Sequence, residues 1–165
     1  MVRPRLTMSL LCGAVATVIA AAALATPSSG IFSTIVARAA FVDPVDLKLK
    51  IDFGNQEVLH VTNARDTIVQ NLLFQPGGQT GWHSHWGPTV VLVKSGSLTL
   101  YDGEDPTCTG RTYTAGQAFI DRGQGHVHLG ANLGSETAEL WTTFFDVPPG
   151  ESPRIDAPDP GTCPF

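Results

Sequence analysis

From about residue 47 onward the chain is a succession of short β-prone runs, each stopped by glycine or proline. Leu47, Leu49 and Ile51 alternate with Lys48, Lys50 and Asp52. A period of two fits a half-buried strand, because successive side chains leave a strand on opposite faces. Further β-rich runs cover residues 58–62, 67–74, 89–93, 97–101, 118–120, 126–129 and 139–147. Pro76-Gly77-Gly78, Gly87-Pro88, Gly96, Gly110, Gly116, Gly123 and Gly125 punctuate them. No stretch beyond residue 25 carries a helical stripe. Many short strands at spacings of roughly 8 to 12 residues build a sandwich or a barrel. The expected fold class is therefore all-β. At 165 residues, with no internal repeat and no second compositional regime, one domain is expected.

The N-terminus reads differently. Arg3 and Arg5 precede an uncharged run, residues 8–24, rich in Ala, Leu and Val, and Ala23-Leu24-Ala25 offers small residues at the positions a signal peptidase inspects. Residues 1–25 are expected to be an export signal. A later cut near Ala39 and a retained anchor stay open, the run of roughly 17 residues being short for a spanning helix. Cys12 belongs to the apolar signal, since Leu10-Leu11 lacks the small residue that lipidation prefers. Residues 26–39 form an N-terminal arm with room for a strand over 31–36. The β domain runs over 40–147, and 148–165 is a Pro-rich C-terminal tail too poor in apolar residues to fold alone.

Charge and cysteine content narrow the function classes. The chain carries 10 Lys plus Arg against 15 Asp plus Glu. Without residues 1–25, 8 basic residues face 15 acidic ones, a net −7. No basic stripe remains, so no nucleic-acid partner is expected, because phosphate binding needs clustered cations. A membrane is expected to matter only through an uncleaved signal segment. Cys108 and Cys163 remain beyond the signal. In an oxidising compartment an even pair favours a disulfide, with a Cys ligand to a metal as the competing reading.

Four of the five histidines form two His-x-His pairs, His83-Ser84-His85 and His126-Val127-His128. On a regular strand, residues two apart share a face, so each pair would offer two imidazoles on one side. Neutral imidazole binds Fe, Mn, Zn, Ni or Cu. Two pairs on an inner barrel wall would supply three or four nitrogen ligands, and the alternative is two solvated strands. His60 stands alone and is read as a surface or satisfied core histidine.

The surroundings of these pairs carry a resemblance. Residues 77–85, Gly-Gly-Gln-Thr-Gly-Trp-His-Ser-His, continuing to Lys94-Ser95-Gly96, are similar to the first motif of the cupin superfamily. Gly116 through Gly125, His128 and Asn132 resemble the second. The likeness spans roughly residues 70–145, and Gly161-Thr162-Cys163-Pro164-Phe165 is similar to the tail of small secreted bacterial single-domain cupins (cupin type 2 like). It implies a single-domain cupin, or jelly-roll, β-barrel after an N-terminal signal segment, with one divalent transition metal held by His83, His85 and His128. His126 is a candidate fourth ligand or a group that orients substrate. Two departures matter. Thr89 stands where the family's motif has its acid, and no carboxylate occurs between His85 and Asp102. The Gly123-Gln124-Gly125 turn lacks the family's proline and is one residue longer. An all-imidazole site resembles the ligand set of cysteine dioxygenase or acetylacetone dioxygenase, which use ferrous iron.

Trp82 and Trp86 bracket the first pair and are expected to pack outside the sheet. Thr89, Val91, Val93 and Phe119 are expected on the inner wall. Asp121, Glu136 and Glu139 are the nearest carboxylates, and the spacing gives none of them a defined place at the metal. These readings leave three functions: an exported, oxygenase-like metal enzyme acting on a small molecule, a non-catalytic module that binds a metal or small ligand outside the cytoplasm, or a structural or sensing domain with an empty barrel. The catalytic residues and the substrate are open, as is a homodimer. The expected location is secreted or cell-envelope.

Overall fold

The computed structural model describes residues 25–52 and 56–165; the expected signal segment before Ala25, with Cys12, lies outside the described residues. The described residues hold twelve strands and no helix. They are β1 (Ser29–Ala39), β2 (Leu47–Asp52), β3 (Gln56–Val61), β4 (Asp66–Gln79), β5 (His83–Ser84), β6 (Thr89–Ser95), β7 (Ser97–Asp102), β8 (Arg111–Thr114), β9 (Ala118–Asp121), β10 (His128–Ala131), β11 (Ala138–Val147) and β12 (Ile155–Asp156).

All the described pairings are antiparallel. One layer runs β1-β4-β11-β6-β9 and the other β12-β5-β10-β7-β8. The two join where Ala131 of β10 pairs with Gln79 of β4. The result is an all-β barrel, the class expected from the strand pattern, in the jelly-roll form that the resemblance implies. β2 and β3 form a separate ribbon whose alternating burial follows the Leu47, Leu49, Ile51 period.

The alternation of β6 and β11 explains the core. Val91, Val93 and Leu140 turn inward with Phe74, Leu98, Tyr113 and Phe119 to form the main apolar cluster. A second cluster, Ile68, Phe144 and Val147, receives Trp86 at its edge. A third lies on the outer side of the site layer, where Trp82, fully buried, packs with Leu129, Ala131, Ala157 and Cys163. Both tryptophans thus pack outside the cavity, as expected.

The C-terminal segment does more than trail. β12 pairs with β5, and the Cys108–Cys163 disulfide ties the segment to the loop after β7. The arm likewise becomes a sheet strand, β1, along the edge of β4. Two glycines are demanded by geometry. Gly96 turns β6 into β7 at φ +70°, and a Cβ there would sit 2.8 Å from the Ala138 Cα. Gly123 has φ +62°, and a Cβ there would meet the Gly87 carbonyl oxygen at 1.8 Å. No L side chain fits such a position, so the turn after β9 is fixed by sequence.

Candidate metal centre

Neither His-x-His pair lies wholly in a strand. β5 ends at Ser84, and β10 begins at His128. The expected strand over 126–129 therefore starts two residues late. His126 instead sits in the turn after β9, where its backbone N–H donates to the Gly123 carbonyl at 3.0 Å. The regular strand is lost at His126, because the Gly123-Gln124-Gly125 turn consumes the residues that would have extended it, yet its ring still stacks beside that of His128 at 6.0 Å.

What gathers the histidines is cross-strand register. His83 of β5 pairs directly with His128 of β10, and paired residues project to the same side. His85, just past β5, folds over both. Ring centroids are 4.3 Å apart for His83–His128, 4.8 Å for His83–His85 and 5.1 Å for His85–His128. One nitrogen from each lies within 4.8 Å of the others, and all three residues are buried.

Two of the three rings are held from behind at Nδ1. His83 Nδ1 lies 3.0 Å from the Gly81 carbonyl oxygen and His85 Nδ1 lies 2.9 Å from that of Pro153. His128 Nδ1 lies 3.1 Å from Asp121 Oδ2, a charge contact without hydrogen-bond alignment. The carbonyl acceptors place the proton at Nδ1 of His83 and His85 and leave their Nε2 lone pairs for an ion. Burial reinforces this by disfavouring imidazolium. It holds His83 well below its ordinary value, brings His85 down to about 4, and lowers His128 against the opposing pull of Asp121. Three neutral, buried imidazoles fit a divalent transition metal by donor type and protonation state.

Asp121 is the carboxylate that sequence spacing could not place. It ends β9 directly opposite Thr89, the position at which the family's acid is missing. Its Oδ1 accepts the Gly123 N–H at 2.8 Å, and its Oδ2 faces both His128 and His126 Nδ1, the latter at 3.4 Å. Burial opposes its charge, yet the surrounding imidazoles hold it well below the usual carboxylate range. An acid from the neighbouring strand thus sets its charge beside His128 and His126. Glu139 is drawn away to Lys94, Asn71 and Trp141 on the outer face.

His126 belongs to a second constellation. Its Nε2 lies 3.0 Å from Asp102 Oδ1, and Arg122 bridges Asp102 and Glu57. Burial opposes its protonation, but Asp121 and Asp102 outweigh that and raise its pKa. It is not one of the three converging histidines; among the described residues it groups with Asp121 and His128, or with Asp102 and Glu104. His60 is exposed on β3, and its carbonyl accepts from Gln124.

The three histidines open into a cavity of about 730 Å³ inside the barrel. Thr89, Val91 and Phe119 line it as expected, with Ile31, Leu72, Phe74 and Leu140. Val93 lies in the core cluster instead. Residues 150–154 also line it. They were not legible as site residues, since nothing local marks a Pro-rich segment as a cavity wall. The one signal was Cys163, whose partner had to hold this segment against the body of the domain.

No protein-family model matches the chain, and no curated protein does. Among solved structures it is similar to an oxalate oxidase at 22% identity, over 48% of this chain and 41% of that one, with a TM-score of 0.42. It is similar to the polyketide cyclase RemF of Streptomyces resistomycificus at 18% identity, over 57% and 64%, with a TM-score of 0.45. A cupin superfamily protein from Desulfitobacterium hafniense is similar at 11% identity over 73% and 81%, with a TM-score of 0.44. The chain spans less than two thirds of the oxalate oxidase and of the cyclase.

Proposed function

We propose that this is an exported cupin protein that holds one divalent transition metal (Fe, Mn, Zn, Ni or Cu) on His83, His85 and His128 and acts as an oxygenase-like enzyme on a small molecule in the barrel. The observation that carries the reading is the set of three converging, buried imidazoles at the wall of the cavity, two of them held at Nδ1 by backbone carbonyls. The cupin-like motif residues support it independently: Gly96 turns β6 into β7, and Asn132 donates to the Phe74 and Glu136 carbonyls. The Cys108–Cys163 disulfide accords with an oxidising compartment and so with export.

When bound, such a metal supplies Lewis acidity and, if redox-active, a path for electrons between substrate and dioxygen. Three protein ligands leave coordination positions for both. The chain's own contribution is to orient the imidazoles, keep them neutral and set them at the wall of a cavity lined by apolar and polar side chains. A second reading, a binding module without turnover, is favoured by one observation: both Asp121 oxygens are engaged, so this carboxylate is not free to move a proton at the centre.

Metal analysis of protein purified without a His tag tests the site. The wild type should carry about one equivalent of metal, and His83→Ala with His85→Ala should carry none. Unchanged content in the double variant would refute the ligand set. Oxygen-consumption screening with thiols, diketones and phenols then separates turnover from capture.

A further inference from the structure

We propose that Arg154 makes the cavity an anion subsite, so that the ligand taken there is a small monocarboxylate with an apolar body, its carboxylate against Arg154 and its body in the barrel. The proposal rests on the reading that this cavity is the protein's ligand site.

The placement of Arg154 follows from register. Asp156 of β12 pairs with His83 of β5, and paired residues share a side. Arg154, two residues before Asp156, is directed to that side as well. The preceding residue, Pro153, supplies the carbonyl that braces His85. Arg154 is thus tied to the same short segment as the metal ligands, and its side chain lines the same cavity. Its charge is close enough to oppose protonation of all three histidines.

The guanidinium has donors to spare. Nε donates to Asp156 Oδ1 at 2.6 Å, while Nη2 is buried without a hydrogen-bond partner. A buried guanidinium nitrogen left unmatched is costly, and an entering oxyanion would satisfy it with a charge-assisted bond. The contrast is Arg38, also on the cavity wall. Its three nitrogens go to Asp66 Oδ2, the Glu151 carbonyl and the Pro148 carbonyl, so it is a structural clamp.

The surroundings narrow the ligand class. Arg154 carries a single positive charge and already shares it with Asp156, so it can balance at most part of one further negative charge. A dianion such as phosphate would leave charge uncompensated among Ile31, Leu72, Phe74, Val91 and Leu140. Those side chains instead suit an aliphatic or aryl body.

The test is calorimetric binding of 4-phenylbutyrate, 4-phenylbutyramide and inorganic phosphate to the full chain, in zinc-loaded and metal-free forms. Arg154→Gln and Arg154→Lys are compared with wild type. Wild type should bind the carboxylate at least about tenfold tighter than the amide, a typical gain for one charge-assisted hydrogen bond. Arg154→Gln should erase that preference while keeping its amide affinity, zinc content and thermal midpoint, and Arg154→Lys should restore part of it. A preference unchanged in Arg154→Gln, phosphate binding as tightly as the carboxylate, or no binding by wild type overturns the proposal. An Arg154-dependent preference in a chain that takes up no metal would keep the subsite and refute the metal centre. Normal zinc uptake without that preference would do the reverse.

Discussion

At the scale of single residues, the centre depends on groups that touch no ion. The Gly81 and Pro153 carbonyls hold Nδ1 of His83 and His85, and the Asp121 carboxylate sets its charge 3.1 Å from Nδ1 of His128. Of these groups only Asp121 is a side chain, so it is open to substitution. Asp121→Asn should weaken metal binding by about 10- to 100-fold with the fold intact, the usual cost of removing such a partner; competition against a chromogenic chelator measures it. Protonation gives a second prediction. Between its unfolded value of 6.5 and its folded value of about 4, His85 binds more proton in the unfolded chain. Stability of the metal-free protein is therefore full above pH 6.5 and is lost as pH falls toward 4. His85 alone accounts for about 3 kcal/mol of that loss, and the lowered values at His83 and His128 act in the same direction. Urea unfolding at pH 7.5 and pH 4.5 should show the drop, and His85→Ala should shrink it.

At the scale of elements, the C-terminal segment joins stability to the site. It covers Trp82, pairs with β5, braces His85 and brings Arg154 to the cavity. The Cys108–Cys163 bridge closes a separation of 55 residues. Cys108→Ser with Cys163→Ser should cost about 2–4 kcal/mol in denaturant unfolding. Because Pro153 rides on this segment, the same variant should also lose metal affinity. A stability loss with metal affinity unchanged would mean that the β5–β12 pairing alone holds Pro153 in place. The short strands explain why this mattered. β5 is two residues long, too short to fix the ring directions of His83 and His85 by strand pairing alone.

At the scale of the whole molecule, the three histidines stand on one layer and face the cavity, within the folded barrel, so an ion bound there would be linked to folding. An ion that binds the folded chain at 100 times its dissociation constant adds about 2.7 kcal/mol. Chelator should therefore lower the thermal midpoint of wild type and leave His83→Ala with His85→Ala unmoved, which differential scanning calorimetry can follow.

The barrel and the three histidines that converge in it were legible in sequence for local reasons. Alternation at Leu47, Leu49 and Ile51, the β-branched run from Thr89 and the glycine stops are properties of neighbouring residues, and His83, His85 and His128 stand within short motifs. Asp121, Pro153 and Arg154 were not legible as parts of the centre. Each reaches it through a pairing between distant segments: β9 on β6, or β12 on β5. His126 shows the converse, a residue whose spacing matched a strand but whose backbone was turned by Gly123. Sequence alone determined the all-β class and the imidazole donors, because period and residue chemistry are local. Only the tertiary structure decided which groups brace those donors and which charge faces the cavity, because register between strands is set by the whole packed barrel.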